Sequence, residues 1–166
     1  MRLTQLFELA PPAVEQRGTY AAVIFSEETI KALKELQEKL DVPNPVDESD
    51  FHTTLLFSRK HLPNYQPLGE LSPVQTADDI DYRLELWPTS SESKTCCVLL
   101  FDSNWLSERH QTLMDEHGAT YDFPTYTPHI TLSYDVGDWK PEEMTVELNN
   151  QRVITMVEEY SEPLEL

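Results

Sequence analysis

TPHITLSYD, residues 127–135, sets Ile130, Leu132 and Tyr134 against His129, Thr131 and Ser133 in strict alternation. A period of two predicts a strand with an apolar face for a core and a polar face led by His and then Thr. The same pattern stands earlier in FHTTLLFS, residues 51–58, with Phe51, Thr53, Leu55 and Phe57 on one side and His52, Thr54 and Ser58 on the other. Residues i and i+2 of a strand share a face about 7 Å apart, so the His and Thr of each strand can address one ligand.

Outward from these strands the chain repeats itself. TYAAVIFS (19–26) matches TCCVLLFD (95–102), and 33 positions separate Thr19 from His52 where 34 separate Thr95 from His129. After the first run, Ser26 offers an N-cap with Glu27 and Glu28 in the first turn. Ile30, Leu33, Leu36 and Leu40 then predict a helix ending before Pro43. After the second, the segment Asp102 to Asn104 caps a helix bearing Trp105, Leu106, Arg109, Leu113 and Met114, with Gly118 as its left-handed terminator. YRLELWPTS (82–90) and KTCCVLLFDS (94–103) read as strands, as does RVITMVEE (152–159), while residues 61–79, broken by Pro63, Pro67 and Pro73 and ending in Asp78 and Asp79, read as an irregular connection. The expected fold class is α+β: a single domain over residues 1–166, with two pseudo-symmetric lobes, about 18–60 and about 80–160, around a central cleft.

The chain of 166 residues carries 12 basic and 30 acidic residues, a net charge of −18. Binding to long nucleic acid relies on many Lys/Arg–phosphate contacts, so this balance argues against it, though not against a small phosphorylated ligand. No apolar run approaches the roughly 20 residues of a membrane helix, and MRLTQLFELAPPAVEQ lacks the order of a signal peptide, so the expected location is the cytoplasm. Cys96 and Cys97 are neighbours in a strand and point to opposite faces, which excludes a disulfide between them. No Walker-type glycine loop and no GxSxG is present. His110 and His117 have no Cys or carboxylate at a recognised zinc spacing, so neither metal nor cofactor is expected.

The tripeptide itself is weak, because His110-Gln111-Thr112 spells it a third time within the second predicted helix. There, residues two apart diverge by about 200° and cannot meet one ligand. What singles out His52/Thr54 and His129/Thr131 is their recurrence at equivalent places in a duplicated unit. Phosphodiester cleavage needs one group to take a proton from the nucleophile and another to protonate the leaving oxygen, and imidazoles do both near neutrality. Two threonine hydroxyls can donate to the non-bridging oxygens.

FHTTLLFS and PHITLSYD resemble the paired His-hydrophobic-Thr motifs of the 2H phosphoesterases, with Thr53 standing where a bulkier apolar residue is usual. Within that superfamily GTYAAVIF, LELWPTS and the EEYSEPL tail are most similar to the phage anti-CBASS nucleases, which degrade cyclic di- and trinucleotide alarm signals of bacterial immunity. The resemblance implies metal-independent cleavage of 3′–5′ linkages, such as those of cyclic GMP–AMP, in an infected host's cytosol. It implies that His52 and His129 exchange acid and base roles through a 2′,3′-cyclic phosphate. It also implies that Tyr20 and Trp87 stack on nucleobases and that Glu159, or else Glu158, meets a base edge. The alternatives are a 2′,3′-cyclic phosphodiesterase acting on RNA ends and a cyclic-nucleotide sponge without catalysis.

Overall fold

The computed structural model describes residues 18–89, 94–148 and 153–164. In chain order the elements are β1 (Gly18–Phe25), α1 (Glu27–Leu40), a 3₁₀ turn (Glu48–Asp50), β2 (Thr53–Ser58), β3 (Gly69–Gln75), β4 (Tyr82–Pro88), β5 (Thr95–Leu100), α2 (Asn104–His117), β6 (His129–Ser133), β7 (Thr145–Val146) and β8 (Thr155–Leu164). They form two four-stranded sheets, ordered β2-β1-β8-β3 and β6-β5-β4-β7, in which every pair is antiparallel. Buried side chains of both sheets and both helices, among them Ala21, Leu33, Leu55, Leu84, Leu99, Leu113 and Ile130, make one continuous core. The edge strands β2 and β6, which carry the two motifs, lie against one another.

The caps follow from local chemistry. The Ser26 hydroxyl accepts from the Thr29 amide at 3.3 Å, and α1 ends in left-handed Asp41 before Pro43. Ser103 caps α2 by accepting from the Leu106 amide at 3.2 Å, and Gly118 terminates it at φ 65°. That conformation costs a glycine nothing.

Three expectations are corrected. Residues 61–79 are not wholly irregular: β3 adds an edge strand to β8, its register broken between Glu70 and Val74 around Pro73. A mostly exposed edge strand needs no apolar alternation and tolerates proline, so it reads as loop. The last strand is Thr155–Leu164, longer than expected, and it inserts between β1 and β3 in the first sheet. The second lobe therefore does not extend as one unit to about residue 160. Residue 90 of the LELWPTS stretch and Arg152 lie outside the described residues.

The third correction concerns both motif strands. Ala21 pairs with Leu56 and Ala22 with Thr54, leaving Leu55 as an extra residue; Cys97 pairs with Ser133 and Val98 with Thr131, leaving Leu132. These are β-bulges at the same place, one residue after each His-x-Thr. An extra residue reverses the alternation beyond it. Ser58 and Ser133 are therefore fully buried, and Phe57 and Tyr134 turn to the opposite face from the one the simple period assigns. Ser133 donates to the Pro43 carbonyl at 2.7 Å, and Ser58 to the Lys60 carbonyl at 2.8 Å.

Each bulge is held by the helix of the other lobe. On β2 the Leu55 carbonyl accepts from His110 Nδ1 of α2 at 2.8 Å; on β6 the Leu132 carbonyl accepts from Gln37 Nε2 of α1 and the Val46 amide, both at 3.0 Å. Buried backbone carbonyls require donors, and here the pseudo-twofold supplies them by exchange of helices. The third His-x-Thr thus has a structural use: His110 is buried and braces the strand that carries the first.

Candidate active site

The two motif histidines are set identically. His52 donates from Nδ1 to the Asp50 carbonyl at 2.7 Å, and His129 from Nδ1 to the Thr127 carbonyl at 2.9 Å, each reaching two residues upstream. With Nδ1 committed as a donor, Nε2 is the nitrogen of each ring left to take up or give a proton. Burial lowers the pKa of His129 and so favours its neutral form, the bond to the Thr127 carbonyl offsets part of this, and the nearby His52 adds a smaller downward push.

Each histidine has an aromatic neighbour. Trp87 of β4 meets His129 edge-on with ring centres 4.6 Å apart, and Tyr20 of β1 meets His52 at 6.4 Å. The hydroxyls of Tyr20 and Thr54 are hydrogen-bonded at 2.9 Å, and burial drives the Tyr20 pKa well above the usual phenol value. The Tyr134 hydroxyl lies beside Thr131, which offsets part of the rise that burial imposes on it. The motifs therefore bring His52, Thr54, Tyr20, His129, Thr131 and Trp87 into one region, between sheets whose edges meet.

An apolar cavity of about 370 Å³ adjoins His129, walled by Trp87, Pro88, Tyr121 and Phe123. A second, more polar cavity of about 280 Å³ adjoins His52, walled by Ile24, Ser49, Asp50, Phe51, Tyr134 and Tyr160. Neither is lined by Lys or Arg. Two larger hollows, about 450 and 540 Å³, lie against α1 and include neither histidine, so they stand apart from this chemistry. Among the described residues no three His, Cys, Asp or Glu side chains converge as a metal would require.

Glu159 does not join the site. It is fully buried, and its carboxylate accepts from Arg109 Nε and Nη2 at 2.9 and 3.0 Å, from Tyr65 Oη at 2.6 Å and from the Leu68 amide at 3.1 Å. Oε2 takes three of these bonds and Oε1 the fourth, and with the residue fully buried no surface is left for a base. Glu158 is exposed, opposite Ile24 on β1. The tail carboxylate set beside the motif aromatics is Glu162, which faces Tyr20 across the ladder and raises the pKa of both Tyr20 and Tyr160. Sequence reasoning missed Glu162, Tyr134 and Tyr160. The expected end of β8 stopped short of the first, and the bulge hid the second. A strand prolonged through SEPL would have paired Glu162 with the face of Tyr160 by simple alternation.

This architecture is shared with solved proteins. E. coli LigT complexed with 3′-AMP matches at a TM-score of 0.59 over 89% of this chain and 87% of that one, with 16% identity. A structure described as a phosphoesterase matches at 0.56 over 90% and 88%, with 13% identity. Two α+β lobes that each lend a His-x-Thr strand to a shared cleft make up the fold of this chain, and that fold is the one LigT and the phosphoesterase have. Within it, the family Anti-CBASS protein Acb1 matches residues 17–166, and the chain belongs to that family. Anti-CBASS protein Acb1 of Enterobacteria phage T4 is 40% identical over 149 residues, 90% of each chain. That of Acinetobacter phage Ac42 is 39% identical over 150 residues, 90% of this chain and 93% of that one.

Proposed function

We propose that the protein is a metal-independent phosphodiesterase that hydrolyses 3′–5′ linkages of cyclic di- and trinucleotides in the host cytosol, and so defeats the CBASS defence that such signals trigger. The observation that carries the reading is the matched histidine pair, each ring fixed through Nδ1 to a carbonyl two residues upstream. Two imidazoles with free Nε2 atoms supply both proton transfers without a Lewis acid.

His129, kept neutral by burial, takes the proton of a ribose 2′-hydroxyl. That oxygen attacks the adjacent phosphorus, the bond from phosphorus to the 5′-oxygen breaks, and the His52 imidazolium gives its proton to the departing 5′-oxygen. The 2′,3′-cyclic phosphate so formed is opened by water with the roles reversed. Thr54 and Thr131 donate to the non-bridging oxygens. With the Tyr20 hydroxyl donating to Thr54, the Thr54 proton is released for the phosphate.

The cavities favour a ligand with two bases flanking one phosphate. Stacking on aromatics is worth about 1–3 kcal/mol per base and needs no basic groove, which suits walls without Lys or Arg and a net charge of −18. Trp87, in the wall of the cavity at His129, and Tyr20, beside the His52 ring, are the stacking residues, and Glu162, paired with Tyr20 across the ladder, meets the base edge.

The test is incubation with cyclic di- and trinucleotides and with a 2′,3′-cyclic mononucleotide in EDTA, followed by chromatography. Linear products from the cyclic oligonucleotides are expected. Rapid opening of the mononucleotide with cyclic oligonucleotides intact would assign the protein to RNA-end chemistry. Tight binding without turnover would make it a sponge, and activity only with added metal would overturn the mechanism.

A further inference from the structure

We propose that Tyr126, stacked on His110, is a positioning residue that fixes the two His-x-Thr motifs relative to one another; this rests on the phosphodiesterase reading of the site. Tyr126 Oη donates to the Thr54 carbonyl at 2.8 Å. The next residue, Thr127, offers the carbonyl that holds His129 Nδ1 at 2.9 Å. A single dipeptide, Tyr126-Thr127, therefore touches the threonine of one motif and the histidine of the other.

The anchor is firm on its far side as well. The Tyr126 ring lies flat on His110, with ring centres 4.3 Å apart and planes 10° from parallel, while His110 holds the Leu55 carbonyl at 2.8 Å. Two consecutive carbonyls of β2, at Thr54 and Leu55, thus receive side-chain donors from the second lobe. They sit at the bulge of an edge strand, where the ladder alone does not define the backbone. Burial keeps the Tyr126 phenol protonated, so it remains a donor throughout the working pH range.

The consequence is geometric. The Thr54 side chain and the His129 ring act on the same phosphate, so their separation must be held to a fraction of an ångström. Without the Tyr126 hydroxyl, the Thr54 backbone is free to shift at its bulge while the His129 anchor stays. Substrate stacking on Tyr20 and Trp87 does not depend on that bond, so turnover suffers and binding does not.

The experiment compares Tyr126→Phe, which keeps the ring and its stack, with Tyr65→Phe, which loses a comparable buried bond to Glu159 away from the cleft. Steady-state kinetics on a cyclic dinucleotide and thermal melts are read for both. Tyr126→Phe is expected to lower kcat by roughly tenfold to a hundredfold with KM little changed, at a temperature where it is fully folded. Tyr65→Phe is expected to lower the melting temperature and leave kcat alone. His110→Phe, which keeps a stacked ring but drops the Leu55 bond, is expected to lower kcat in the same way. A wild-type kcat for Tyr126→Phe, or an equal loss in Tyr65→Phe, would overturn the proposal while the function stands. A wild-type protein that cleaves none of the substrates overturns the function itself, and the positioning role with it.

Discussion

Replacing Glu159 by glutamine separates a structural carboxylate from one that reads a base. The side chain is fully buried and meets four donors: two from Arg109, one from the Tyr65 hydroxyl and one from the Leu68 amide. Glutamine can place its oxygen towards Tyr65 and Leu68, but its amide group then points N–H bonds at Arg109 Nε, donor against donor. Arg109, only 18% exposed, is left without its counter-charge. Breaking one partner of such a buried pair costs about 3 kcal/mol or more. For a chain of this size that is a fall in Tm of about 6–12 °C. Thermal melts and steady-state kinetics at 25 °C would show a large loss of stability with kcat and KM for a cyclic dinucleotide retained. The double variant Arg109→Met/Glu159→Leu, which removes both charges, should recover much of the loss. An unchanged Tm with a raised KM would refute the reasoning and return Glu159 to the ligand.

Thr53 is fully buried with its hydroxyl unpartnered, so Thr53→Val should raise stability by about 1 kcal/mol in urea unfolding; a loss of stability would mean that the hydroxyl is satisfied after all. Gly18 packs against β2 so closely that a Cβ would lie 2.0 Å from the Ser58 carbonyl oxygen, and Gly18→Ala should cost about 2 kcal/mol by forcing β1 and β2 apart. The His129 ring should titrate below the usual value of about 6.5 in an NMR pH series. Because the unfolded chain then takes up the proton first, its contribution to stability should fall as pH drops through about 6.5, and the loss should be complete below the folded-state pKa. A His129 titration at or above 6.5 would contradict the burial argument.

Much of this was legible from the sequence because it rests on short-range rules. Ser26, Ser103 and Gly118 do what such residues do at helix ends, and the alternation up to Thr54 and Thr131 correctly assigns the polar face. Past those threonines a period of two fails, because the extra residues at Leu55 and Leu132 are specified by partner strands and not by local pattern. Buried serines at 58 and 133 were the available signal, and they look like surface residues until their carbonyl partners are known. β3 was missed for the opposite reason: an edge strand with little to bury leaves hardly any hydrophobic trace. Glu159 was misjudged because its partners, Tyr65 and Arg109, lie 94 and 50 positions away, beyond any reading of an acidic tail. His110 shows the same limit. Its spelling suggested chemistry and its helix excluded it, but only the fold reveals the bulge that it braces.

The central claim, that His52 and His129 act as one acid–base unit, is tested most directly by single-turnover cleavage of a cyclic dinucleotide in EDTA. The comparison is between wild type, His52→Ala, His129→Ala and the double variant. Each single variant is predicted to lose about 10²–10⁴ in rate, and the double variant to lose about as much as the worse of the two, since a proton relay missing either end is already broken. A single variant that cleaves at the wild-type rate, or losses that multiply fully in the double, would contradict the account.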